Sequence, residues 1–97
     1  MLTVLYNLSQ NLGLANRYEE ALEIVRDGEA MCLRHGSLRM LAPFAINHGC
    51  DLLELGRKKE ALPYLAMSYY GSKIFNNTYN LRAVSEYVKE RFDLEFD

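Results

Sequence analysis

Residues 5–12 read Leu5-Tyr6-Asn7-Leu8-Ser9-Gln10-Asn11-Leu12, followed by Asn16-Arg17-Tyr18-Glu19-Glu20-Ala21-Leu22 and then Val25. Residues 45–52 read Ala45-Ile46-Asn47-His48-Gly49-Cys50-Asp51-Leu52, followed by Gly56-Arg57-Lys58-Lys59-Glu60-Ala61-Leu62 and then Leu65. Laid over each other without a gap, the two stretches share Asn7 with Asn47, Leu12 with Leu52, Arg17 with Arg57, Glu20 with Glu60, Ala21 with Ala61 and Leu22 with Leu62. The offset is 45 − 5 = 40 residues. Self-similarity at a fixed interval of this size is the mark of a stacked helical repeat, in which neighbouring units bury one another's apolar faces. Such stacks offer surfaces for holding other molecules.

Apolar spacing predicts five helices, over about 2–14, 18–35, 38–55, 58–75 and 79–92. The first places Val4, Leu5, Leu8 and Leu12 on its buried side. In the second, Ala21, Leu22, Val25, Gly28 and Cys32 recur at helical intervals. Glu19 and Glu20 in its first turn, and Arg34 and His35 in its last, suit the helix dipole. Gly36-Ser37 breaks that helix, and the Ser37 side chain can cap the next. Pro43 lies near the start of the third helix, where a missing N–H costs least. Pro63, inside the fourth, predicts a kink or a ragged first turn. Asn16 and Gly56 suit the left-handed conformation that ends a helix. Small residues at Ser9, Ala21, Gly49 and Ala61 let paired helices approach closely, so Ala21 and Ala61 should be buried at helix crossings.

Composition bounds the function. Hydrophobic residues make up 49% of 97, enough for one modest core and too many for disorder. No apolar run reaches the roughly 18 residues of a membrane span. The opening Met1-Leu2-Thr3-Val4 lacks the basic region of a signal peptide. A formal charge of −2 speaks against nucleic-acid binding by this segment. Cys32 and Cys50 show no metal-type spacing and are expected as reduced thiols, as a cytoplasmic protein keeps them. Cys32 and His35 share a helix face, but nothing completes a ligand set. His48 reads as a partly buried structural histidine, and two residues of separation turn it away from Cys50. With no nucleophile–base pair, metal set or phosphate loop, neither an enzyme nor a cofactor is expected.

The run Leu5-x2-Leu8-Ser9, followed by Asn16-Arg17-Tyr18-Glu19-Glu20-Ala21-Leu22-Glu23, resembles the tetratricopeptide repeat, TPR. The resemblance implies an all-α, TPR-like right-handed α-α superhelix: one domain over 1–97, with repeats about 2–36 and 38–76 and a C-terminal capping helix about 79–92. Departures are His48 in place of Leu, Lys58 in place of the turn Tyr, and a 40-residue interval rather than about 34. The extra residues are expected to lengthen the second helix, through Cys32 to His35.

The Tyr18-to-Glu23 copy, the Leu53-to-Leu62 copy and the closing Tyr87-Val88-Lys89-Glu90-Arg91-Phe92 are similar to the C-terminal sensor region of XRE-type (Rgg/PlcR-like) bacterial transcription regulators. That likeness implies a cytoplasmic homo-oligomer that holds a signalling peptide, with a DNA-binding domain outside these 97 residues. The chain is then expected to be the C-terminal part of a longer protein. In TPR stacks the first helix of each pair lines the concave groove. Carried onto this sequence, the groove residues are Tyr6, Asn7, Gln10 and Leu14, then Ile46, Asn47, Cys50 and Glu54, then Glu86, Tyr87 and Glu90. Asn7 and Asn47 recur in register, and their amides can both donate to and accept from a peptide backbone. Each Asn could equally be solvated or bonded to the neighbouring helix.

The aromatic residues gather late, from Tyr64 to Phe96. They read either as core between the last two helices or as a self-association patch, and adjacent Tyr69 and Tyr70 cannot both face one core. Two functions are therefore open: a peptide- or protein-binding sensor module, or a TPR scaffold for oligomerisation with no small-peptide ligand.

Overall fold

Helix-ending residues set the architecture. In the computed structural model, which describes residues 1–96, the corners between helices take positive φ at Asn16 (61°), Gly36 (69°), Gly56 (79°) and Asn76 (56°), each 20 residues after the last, and Asp93 (52°) ends the final helix in the same way. At each corner the following N–H reaches back to a carbonyl of the helix just ended: Arg17 to Leu12 at 2.9 Å, Ser37 to Cys32 at 2.9 Å, Arg57 to Leu52 at 2.8 Å and Asn77 to Ser72 at 2.9 Å. These bonds satisfy carbonyls that a helix end otherwise leaves open.

Between the corners lie α1 (Leu2–Leu14), α2 (Tyr18–His35), α3 (Leu38–Glu54), α4 (Lys58–Ile74) and α5 (Thr78–Phe92). No strand occurs among the described residues. The expected helix boundaries hold to within one residue. The extra length expected at His35 is not confined to α2, because α3 and α4 also reach 17 residues each. Pro63 neither ends α4 nor frays its first turn, where the Ala61 N–H still bonds the Arg57 carbonyl at 3.1 Å. Ser37 does not cap α3 with its side chain; its carbonyl accepts from the Met40 N–H instead.

The shared Arg and Glu of the two stretches have a local role. Arg17 grips Glu20 through two bonds of 2.8 and 2.6 Å, and Arg57 grips Glu60 through two of 2.7 Å. Each pair straddles the first turn of α2 or α4, where a carboxylate also suits the helix dipole. Both pairs are exposed, so they orient the turn more than they stabilise the fold.

Consecutive helices pack together, and α3 touches all four others. Helices α1 and α5 each approach α3, while α2 and α4, among the described residues, do not come within 8 Å of each other at Cα. The radius of gyration is 12.3 Å, close to the about 12.5 Å of a globular chain this long.

Three buried clusters form the core. Val25, Cys32 and Phe44 join α2 to α3; Leu22, Leu52 and Ala61 join α2, α3 and α4; Leu65, Val84 and Val88 join α4 to α5. Ala21 and Ala61 are fully buried, as expected. Two glycines make room where nothing larger fits. A Cβ on Gly28 would stand 2.4 Å from the Phe44 ring, and one on Gly49 would stand 2.6 Å from Leu65. The aromatic expectation resolves at Tyr70, which is 44% exposed, while Tyr69 is half-buried against Phe96.

The expected buried side of α1 is corrected. Val4 is 64% exposed and Leu8 42%, Leu5 and Leu12 are only half-buried, and Ser9 is the buried residue. Helix α1 has neighbours on the α2 and α3 sides alone, so its outer face stays open.

A polar pin holds α5. Asn80, buried, donates to Ser68 Oγ at 2.8 Å and to Ser72 Oγ at 2.7 Å. Ser68 in turn donates to the Ala42 carbonyl of α3 at 2.8 Å, so three helices share one network.

Two outcomes check this packing in urea unfolding. Ala61→Leu overpacks the α3–α4 contact and should cost about 1–3 kcal/mol. Asn80→Ala strips donors from two buried hydroxyls and should cost about 1–3 kcal/mol; an unchanged midpoint in either variant contradicts the packing described.

Candidate functional site

The side of the molecule where α1, α3 and α5 meet carries an open cavity of about 240 Å³. Its lining includes Gln10 and Leu14 from α1, Asn47, Cys50 and Glu54 from α3, and Tyr87 from α5, all groove residues expected from the sequence. Ser9, Gly13, Tyr18 and Asp51 complete it.

Other expected groove residues sit apart from this cavity. Tyr6 packs edge-on against Phe44 at 5.7 Å, and its hydroxyl accepts from Gln10 Nε2 at 3.1 Å. Burial raises the Tyr6 pKa, with nearby Tyr79 adding to the effect. Ile46 is half-buried against the Leu65–Val84–Val88 cluster. Glu86 borders a separate hollow with Tyr79 and Arg82. Asn7 and Glu90 are exposed.

The register match of Asn7 and Asn47 does not give them matching surroundings. Asn47 Nδ2 donates to Ser9 Oγ of α1 at 3.3 Å, and that hydroxyl donates to the Tyr6 carbonyl at 2.7 Å. Asn7 stands one helix earlier, on α1, with no preceding helix in the described residues to meet it. Beyond that bond Asn47 keeps a second N–H and its amide oxygen, so it can still both donate and accept.

The charged groups around the cavity differ sharply in how they are satisfied. Glu54 accepts from Arg91 at 3.1 Å, and Arg91 also lies over the Tyr87 ring. Asp51 is only 5% exposed, has no cation beside it, and its Oδ2 has no hydrogen-bond partner. Burial alone pushes the Asp51 pKa up to about 7. The Tyr87 hydroxyl is likewise buried, beside the Cys50 thiol, and burial raises its pKa. Burial also takes the Cys50 thiol up to about 11, against a smaller opposing effect of Tyr87, which leaves it a poor nucleophile.

His48 is more deeply enclosed than expected, at 3% exposure. Its Nδ1 lies 2.7 Å from Glu29 Oε1 of α2, and its ring stacks on Tyr64 with centroids 3.5 Å apart. The carboxylate can only accept, so Nδ1–H donates. The pair ties α2 to α3 and its ring partner adds α4. It lines none of the cavity above. Cys32 is buried and Cys50 half-buried, both as free thiols. No group of three or more metal-ligating side chains occurs among the described residues. Nor, among them, is any helix long and apolar enough to cross a membrane.

Compared with known protein families, with curated proteins and with solved structures, the chain matches none.

Asp51 was not singled out by sequence reasoning. Its register partner in the first stretch is Asn11, which is exposed, so the repeat carried no warning of a buried acid. The available signal was an acidic residue flanked by Cys50 and Leu52 on a helix that neighbours cover from both sides.

Asp51 makes a pH prediction with a definite sign. An unfolded Asp titrates near pH 3.9, whereas the folded carboxyl titrates at about 7. Between those values the folded state holds a proton that the unfolded chain has lost, so stability falls as pH rises through the window. Asp51→Asn should therefore gain about 1–2 kcal/mol more over wild type at pH 8 than at pH 5, read from paired urea titrations; a gain independent of pH contradicts the burial of the charge.

Proposed function

We propose that this chain is a peptide-binding TPR-like module: a right-handed stack of two helical hairpins closed by a capping helix, holding an extended peptide across α1, α3 and α5. One observation carries the reading. Six residues expected from the sequence to line a groove surround one open cavity between those helices. The contact pattern supports it, since the first helices of successive hairpins adjoin. Unspent hydrogen-bonding groups on Asn47 and Asp51 suit a ligand that supplies N–H donors. By resemblance, the module is the sensor and dimerisation region of a cytoplasmic helix-turn-helix regulator, with DNA binding assigned to a domain outside these residues.

A second reading is a scaffold without a small-peptide ligand. The observation favouring it is an almost wholly apolar hollow at the far ends of α3 and α4, bordered by exposed Leu38, Met67, Tyr70 and Ile74. Exposed apolar surface of this kind suits subunit contacts.

Two experiments separate the readings. In titrations with the peptide that the regulator responds to, Asn47→Ala should weaken binding by about 1–2 kcal/mol, while Tyr70→Ala leaves it unchanged. No saturable peptide binding, together with a self-association that Tyr70→Ala abolishes, supports the scaffold. A helix-turn-helix encoded in the same reading frame is the expected outcome for the regulator assignment, and a frame without one overturns it.

A further inference from the structure

The cavity between α1, α3 and α5 has acceptors with nothing to accept. Asp51 is 5% exposed, lines the cavity and leaves Oδ2 unpartnered. Across from α3, Tyr87 brings a second buried oxygen, beside the Cys50 thiol. Asn47 gives one N–H to Ser9 and keeps a second N–H and its amide oxygen. Arg91, the cation beside the Glu54 and Tyr87 of the lining, is engaged by that carboxylate and that ring. The α1 backbone lies beside the carboxyl, since a Cβ at Gly13 would stand in ordinary contact, 3.8 Å from Asp51 Oδ1.

A buried carboxyl in this state costs free energy unless something pairs with it. Within the described residues no ion pair reaches it. An acid in a core without purpose would be replaced at little expense by an amide or an apolar residue. An acid bordering an open cavity has another outcome available, because a bound cation can complete it.

We infer that the Asp51 cavity takes a primary ammonium of the bound peptide, either a lysine side chain or the free N-terminus. The ammonium pairs with the Asp51 carboxyl, and the Asn47 amide oxygen at the same lining can accept a second donor. Leu14 and the Tyr18 ring, at the same cavity, offer apolar surface for the methylenes of a lysine stem. The inference rests on the peptide-binding reading and adds the chemistry of the anchoring group.

The test uses the 97-residue protein and four short probe peptides, followed by NMR through the Asp51 carboxyl carbon and the amides of Asn7, Gly13 and Asn47. The first probe is acetyl-Gly-Ala-Lys-Ala-Gly-amide. The second replaces lysine by norleucine and has no ammonium. The third replaces it by arginine. The fourth is the norleucine peptide with a free N-terminus. The lysine or free-terminus probe should move the Asp51 signal saturably, and the tighter of the two identifies the source of the ammonium. Asp51→Asn, which keeps the side-chain shape, should weaken that probe by about tenfold or more. The same change should not alter the norleucine probe. Equal binding of lysine and norleucine probes at Asn7 and Asn47 overturns the ammonium site and leaves the peptide groove standing. Tightest binding by the arginine probe overturns the ammonium in favour of a guanidinium. Failure of all four probes to move Asn7, Asn47 or Asp51 overturns the anchor and the groove together.

Discussion

Everything in this molecule depends on how closely α3 approaches its neighbours. At Gly49 the Leu65 side chain of α4 occupies the space a Cβ would need, and the Ala61 carbonyl would stand 3.2 Å from that atom. At Gly28 the Phe44 ring of α3 presses into α2 in the same way. These contacts seat α3 between α2 and α4, and its remaining surface then meets α1 and α5. Helix α3 thus has almost no free face, which explains why so many of its polar residues are buried. His48 and Asp51 are one turn apart on the same helix and both are enclosed.

Those two residues show two solutions to one problem. His48 faces Glu29 and Tyr64, and its ring nitrogen is bonded on the side away from the cavity. Asp51 points where α1 leaves a gap, and finds no partner. The difference is one of neighbours rather than of the helix. Helix α2 supplies a carboxylate at the right height for His48, whereas α1 supplies Gly13 opposite Asp51.

Much of the fold was legible because the helix ends carry strong local signals. Asn16, Gly36 and Gly56 are residues that accept a positive φ, and the helices end there. Asn76 obeys the same rule, though in sequence it reads only as one polar residue among Asn76, Asn77 and Thr78. Burial at Ala21 and Ala61 was legible too, because a small residue on the apolar stripe of a helix marks a close crossing with its neighbour. What was lost concerned neighbours. The apolar stripe Val4-Leu5-Leu8-Leu12 announces a buried face, but burial needs a partner on that side and α1 lacks one. Six groove residues gather at one cavity, yet Ile46 packs into the core and Asn7 stays in solvent, since register alone does not say which helix lies opposite. The buried acid was hidden for the same reason: the wall beside Asp51 comes from Gly13 of α1, which is distant in sequence.

The even spacing of the left-handed corners has a consequence for how such a chain can change. Each residue added inside a helix rotates all that follows by about 100° and advances it by about 1.5 Å. A single insertion between two corners would therefore turn Gly49 away from Leu65, or Asp51 away from the cavity, while leaving composition and helix propensity intact. At a corner the same insertion meets backbone already released from the helical ladder and exposed to solvent. Length variation is thus confined to four short hinges. Between them the helices behave as fixed-length rods, whose lengths carry as much structural information as their side chains.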